Sequence, residues 1–115
     1  MATYFKNVLK SELGITDTDV LTTGASSKTT VIGLSLSNLT NSILLASIKL
    51  TDPNGAGAGQ SVTAYFIKDV LIPPNQSLRV VNGGEKLVLG ASTTITISSS
   101  IDDSLDLVMS YVEII

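Results

Sequence analysis

Apolar and polar side chains alternate with a period of two through at least four separate stretches of this chain, and nothing else in it constrains the fold as much. In Thr30–Leu36, TVIGLSL, the pattern predicts Ile32, Leu34 and Leu36 on one side and Val31, Gly33 and Ser35 on the other. Leu44, Ala46, Ile48 and Leu50 share a face in LLASIKL. Ile95 and Ile97 do so in TITISS, as do Leu105, Leu107, Met109 and Tyr111 in LDLVMSY. Successive side chains of an extended chain point to opposite faces, so alternation of this kind marks half-buried strands. Val62–Ile72 is β-branched and aromatic throughout, which predicts a strand buried on both sides or bent by a bulge.

Between these runs lie residues suited to turns: Gly24, Asp52-Pro53-Asn54-Gly55, Pro73-Pro74-Asn75, Asn82-Gly83-Gly84 and Ile101-Asp102-Asp103. Pro73 and Pro74 lack backbone donors and are expected to end one strand. Asn82, Gly83 and Gly84 are expected to close a hairpin between SLRVV and KLVL. The N-terminal TYFKNVL carries both helical spacing (Phe5, Val8, Leu9) and β-prone residues, and is assigned to a strand. About eight strands in 115 residues predict one all-β domain over residues 1–115. Its expected form is a single antiparallel β-sandwich, jelly-roll or immunoglobulin-like.

Composition excludes several kinds of chemistry. The chain has no cysteine and no histidine, which removes disulfides, thiol nucleophiles and the commonest general base. Charged residues are 15% and the net charge is −3, with no run of Lys or Arg, so nucleic acid is not an expected partner. No stretch reaches the length of about 20 apolar residues that a membrane helix needs, and MATYFKNVLKSELG is expected to be neither an export signal nor an anchor. Ser and Thr number 15 and 13, about a quarter of the chain, which predicts hydroxylated outer sheet faces.

The candidate chemical residues are few. Asp17 and Asp19 in TDTD, and Asp102, Asp103 and Asp106 in DDSLD, offer oxygen ligands for calcium. Neither group has the ligand count or the glycine of a calcium loop, so both are assigned to turns and no metal or cofactor is expected. Gly55–Gly59, GAGAG, lacks the Gly-Lys-Ser/Thr ending of a phosphate loop and is assigned to a mobile hairpin tip. Lys68-Asp69 is assigned to a bulge or a sheet edge. Arg79 is the chain's only arginine; a solvated strand position is its default, and a partner contact its alternative. Val112, Ile114 and Ile115 make a free C-terminal tail unfavourable and are expected to dock on the chain's own core or on a partner.

Four segments carry a resemblance: YFKNVLKSELG, TTVIGLSLSNLT, YFIKDVLIPPNQSLRVVNGGEKLVLG and SLDLVMSYVEI. Taken in order they span nearly the whole chain. It resembles small virion structural proteins of tailed bacteriophages, the cyanophage-type capsid decoration and accessory proteins. That resemblance implies a β-sandwich on the particle exterior with no catalytic residues. It implies association with other virion proteins, either the major capsid protein or tail and neck proteins, with homo-oligomers on the particle. The location implied is the virion, assembled in the host cytoplasm. The expected function is a non-enzymatic capsid decoration (cement) protein, with a neck, tail or fibre accessory subunit as the alternative. A carbohydrate-binding adsorption module is a further alternative, disfavoured because aromatics are 4% and tryptophan is absent.

Overall fold

The structure, a computed structural model, describes residues 2–82 and 84–115. Among these, every regular element is a strand: β1 (Thr3–Leu13), β2 (Thr18–Thr22), β3 (Lys28–Asn38), β4 (Leu44–Gly57), β5 (Gln60–Ile72), β6 (Ser77–Val81), β7 (Leu87–Leu89), β8 (Thr94–Ser99) and β9 (Leu105–Ile114). The N-terminal segment is a strand, as expected, and β9 pairs antiparallel with it from Thr3↔Ile114 to Lys10↔Leu107.

Two sheets form. One has the order β1-β9-β3-β6, with β7 also paired to β3; the other has the order β2-β8-β4-β5. In an immunoglobulin sandwich the first two strands share a sheet, whereas here β1 and β2 lie in opposite sheets. Except for β4–β5 and the β6–β7 step, each strand is followed by one in the other sheet. This is the jelly-roll arrangement, with β7 as a short ninth strand.

The core forms where the alternating faces meet. Leu34, Leu36, Leu44, Ile48, Ile95, Ile97, Leu105, Leu107 and Met109 are all buried, so alternation assigned the inner face correctly in β4, β8 and β9. In β3 it failed at two residues, Val31 and Ile32. The register with β9 shifts between Val31 and Gly33, a bulge that inverts the phase. Val31 is therefore buried and Ile32 is turned outward. Thr29 Oγ1, also on the inner face, has no hydrogen-bond partner among the described residues although Thr29 is 1% exposed. A buried hydroxyl without a partner carries its full desolvation cost. Thr29→Val keeps the shape and removes the hydroxyl, and is expected to raise stability by about 1 kcal/mol in denaturant titration; a loss of stability would show that the hydroxyl is satisfied.

Several turn assignments change. Asp52–Gly55 is not a turn but part of β4, whose register with β5 shifts between Asp52 and Gly57; the reversal comes at Ala58-Gly59, with Gly59 at φ 75°. The hairpin between SLRVV and KLVL does not form. Both β6 and β7 run antiparallel to β3, along the same edge, one after the other. The chain thus keeps its direction across Asn82–Glu85, where Asn82 O accepts from Glu85 N–H at 3.0 Å and Asn82 Oδ1 from Gly84 N–H at 3.1 Å. Gly83 lies outside the described residues. An eleven-residue β3 is long enough to hold both short strands end to end. Pro73–Gln76 is a turn as expected, with Pro74 followed by Asn75 at φ 56°, the combination a type II turn requires.

β5 is an edge strand, exposed over most of its length rather than buried on both sides. It is bulged, however, as the other expectation held. Asp69 sits at φ 48°, its N–H bonded to Ser47 Oγ at 2.9 Å, so Lys68-Asp69 lies at a bulge on an edge.

Candidate functional site

Of the acidic residues assigned to turns, Asp102 and Asp103 lie in one and Asp17 lies in the β1–β2 connection, but Asp19 belongs to β2 and Asp106 to β9. Asp102 Oδ1 accepts from Ile15 N–H at 3.0 Å, and Asp106 Oδ1 accepts from Glu12 N–H at 3.0 Å. Asp17 is ion-paired to Lys49 at 2.6 Å, and Asp19 accepts from Thr96 Oγ1 at 2.9 Å. Each carboxylate serves a different neighbour, and no three acidic groups converge among the described residues. The Asp17 hydrogen bond raises the Lys49 pKa above its ordinary value, as the Glu113 hydrogen bond and charge raise that of Lys6. Both contributions are complete below the ordinary lysine range and are lost only as pH rises through the raised folded values.

The sheet faces carry the character of this molecule, and the two outer faces differ. On the β2-β8-β4-β5 sheet, registers align Thr22, Thr94, Thr51 and Thr63 across all four strands. Their hydroxyls pair with one another at 3.0 Å (Thr22–Thr94) and 2.9 Å (Thr51–Thr63). The next row holds Asp19, Thr96, Lys49 and Tyr65. Lys68 Nζ already lies 5.1 Å from the Tyr65 ring centroid. This face is largely hydroxylated, several of its polar groups pair with one another, and its exposed apolar side chains are Tyr65 and the cross-strand pair Leu45–Leu71.

The outer face of the other sheet mixes exposed large apolar side chains with hydroxyls and amides. One row runs Phe5, Val112, Thr30, Val88 across β1, β9, β3 and β7. A second runs Leu9, Val108, Ser35, Arg79 across β1, β9, β3 and β6. Between them lie Asn7, Ser110 and the bulged Ile32. Phe5 is 80% exposed, Val88 74%, Leu9 66% and Val108 48%. Arg79 is the only charged side chain in the two rows. Shallow depressions on this face are lined by Phe5, Ile32, Ser110, Val108 and Arg79. Several large apolar side chains exposed on one face of a small protein are a candidate binding surface.

The structure brings Arg79 and Val112 together on this face, and Ile114 pairs with Thr3 and Lys28 at its end. The C-terminus is docked on the chain itself: Ile115 and Ala2 exchange both main-chain hydrogen bonds, at 2.8 and 2.9 Å. The burial is shallower than expected, since Val112 and Ile114 are half-buried and Ile115 is 55% exposed. Pro73, Pro74, Asn82 and Gly84 stand in turns or beside strand ends, and Asn82 borders the depression that Arg79 and Val108 line. Sequence reasoning missed Phe5, Leu9, Val88 and Val108. Three of them were within reach: Val108 lies opposite in phase to Leu107 and Met109, and reading β1 as a strand puts Phe5 and Leu9 on one face.

No family model matches the chain, and no curated protein matches it. Among solved structures, the chain is similar in fold to one from the crystal structure of the T13 IBDV viral particle, an icosahedral virus. The TM-score is 0.55 at 11% identity, over 96% of this chain and 30% of that one. What the two share is the all-β sandwich, and this chain spans less than a third of its neighbour's length.

Proposed function

We propose that this chain is a non-enzymatic structural protein of a tailed-phage virion, a decoration protein that lays the outer face of its β1-β9-β3-β6/β7 sheet against the outside of the capsid shell. The observation that carries this reading is the exposed apolar pair of rows, Phe5–Val112–Thr30–Val88 and Leu9–Val108–Ser35–Arg79. Their side chains stay solvated in the free chain and gain by burial on a partner. The fold's likeness to a viral-particle chain supports it, as does the ordered resemblance of four sequence segments to phage decoration and accessory proteins. Jelly rolls also occur in lectins and cupins, so the fold alone does not decide the function; the exposed apolar side chains are what favour docking on a partner.

Apolar side chains of this size contribute about 1.5–3 kcal/mol each when fully buried. Val88→Asp, at a position 74% exposed in the free chain, is therefore expected to leave folding intact and to weaken binding to purified shells at least about tenfold. Quantitative protein analysis of virions should find the chain in numbers comparable to the major shell protein. A handful of copies per particle would move it to the neck, tail or fibre, and absence from virions would end the structural reading.

A further inference from the structure

Among the described residues four sheet edges are open: β1, β6/β7, β2 and β5. An open edge displays unpaired N–H and C=O groups and is a template for another strand unless something blunts it. Three of the four are blunted. β2 is five residues long with an irregularity between Asp19 and Leu21. β5 is broken by the Asp69 bulge and again between Asp52 and Gly57 of its partner strand. The β6/β7 edge is interrupted after Val81. β1 differs, because its register with β9 is unbroken from Thr3 to Lys10, shifting only before Leu13, where Glu12 takes φ 54°.

The parity of the free edge follows from one pair. Ala2 and Ile115 exchange both main-chain hydrogen bonds, and antiparallel ladders alternate bonded and non-bonded residues. Even-numbered residues of β1 therefore bond to β9, while Thr3, Phe5, Asn7 and Leu9 aim their N–H and C=O groups outward. Phe5, Asn7 and Leu9 also carry their side chains on the apolar outer face.

We propose that β1 pairs antiparallel with β1 of a second copy of this chain about a two-fold axis at Asn7, joining the two apolar faces into one. The strand's own sequence selects this register. Opposed residues of a continuous sheet must share a face, so the axis must pass through a residue. An axis at Lys6 sets two Lys6 side chains opposite each other, and one at Val8 sets Lys6 opposite Lys10; like charges directly opposed are destabilising. An axis at Phe5 leaves Leu9 without a partner inside the strand, and one at Leu9 runs into the Glu12 bulge. The axis at Asn7 opposes Phe5 to Leu9 on the outer face, twice, and Tyr4 to Lys10 on the inner face. Phe5–Leu9 and Asn7–Asn7 are then the bonded pairs, which matches the outward parity of these residues. The two Lys6 groups come only diagonal to each other, each held by its own Glu113 at 2.8 Å. Such an isologous contact closes on itself. It stands on the chain alone, whether or not the particle assignment holds.

The absence of native cysteine makes the register directly testable. Analytical ultracentrifugation of the full chain is expected to show a dimer. Asn7→Pro removes a donor that faces outward, not one bonded to β9, and is expected to yield a monomer that melts like the parent. Under oxidising conditions Asn7→Cys is expected to form a disulfide-linked dimer, because the bonded-pair Cα separation of about 5.5 Å lies within disulfide range. Thr63→Cys, on the β5 edge, is expected not to. A chain that stays monomeric up to its solubility limit overturns the proposal. So does a dimer that survives Asn7→Pro, or an Asn7→Cys chain that crosslinks no faster than Thr63→Cys. If Asn7→Pro fails to fold, the crosslinking comparison decides alone.

Discussion

Replacing Ile97 with aspartate is expected to leave the chain unfolded at room temperature. Ile97 lies in β8 with 1% of its surface exposed, paired to Thr18 of β2 on one side and Ile48 of β4 on the other. Its side chain points between the sheets, among residues that include Leu36, Leu44, Leu107 and Met109. Removing a large aliphatic group from such a site costs about 2–5 kcal/mol. Placing a carboxylate there with no cation to meet it adds several kcal/mol more. A domain of this size has roughly 5–15 kcal/mol in total, so the two losses together consume most or all of it. Far-ultraviolet circular dichroism during heating is the measurement: the variant should show no cooperative β transition. Ser98→Asp, one residue along and on the hydroxylated outer face, should melt close to the parent. A variant at Ile97 that melted like wild type would mean that β8 turns its other face to the core.

That contrast shows what the alternation could convey. Where a strand keeps an unbroken register, as β8 does against β4, a period-two pattern states both the strand and its buried face. Where a bulge intervenes, the pattern carries no mark of it. Ile32 is as apolar as Val31, and only the shift in pairing with β9 decides which of them turns inward. Turn chemistry was legible where the chain crosses between sheets, at Gly24, Pro73–Asn75 and Asp102-Asp103. It misled at Asp52–Gly55, because a long hairpin arm tolerates Pro and Gly beyond the core, where few packing contacts restrict the backbone.

The SLRVV–KLVL hairpin failed for a different reason. Neighbouring strands separated by a glycine-rich turn usually pair with each other, but a longer strand can bind both end to end, and nothing local records its length. Buried polar residues were equally illegible. Asn38, in a triplet that looks like a glycosylation acceptor, is 3% exposed. Its Nδ2 donates to the carbonyls of Ser42, Ile72 and Pro73, which ties the end of β3 to the start of β4 and the end of β5. The apolar face was hidden because it is assembled from β1, β9, β3 and β7, which are remote in sequence. Only the pairing registers place Phe5 beside Val112 and Val88 two strands beyond.

Deleting Val112–Ile115 is expected to destabilise the chain by about 3–5 kcal/mol, by the usual net worth of hydrogen bonds and partial apolar burial. The size of the effect comes from where β9 lies. It is a central strand, so its last residues serve two neighbours at once: Val112, Glu113 and Ile114 pair with Phe5, Tyr4 and Thr3 of β1 and with Thr30, Thr29 and Lys28 of β3. The deletion also removes the Lys6–Glu113 ion pair and both bonds between Ala2 and Ile115. β1 would then hold to β9 only from Lys6 onward, and Thr3–Phe5 would be left with no strand beside them. Hydrogen exchange should show the amide of Tyr4 losing protection while those of Lys6, Val8 and Lys10 keep theirs, and denaturant titration should show the lower midpoint. Removing Ile115 alone takes away a side chain already 55% exposed together with the Ala2 pair, and is expected to cost no more than about 1–2 kcal/mol. If the four-residue deletion left the midpoint unchanged, β9 would end functionally at Tyr111, and the outer apolar row through Val112 would not be a fixed part of the folded surface.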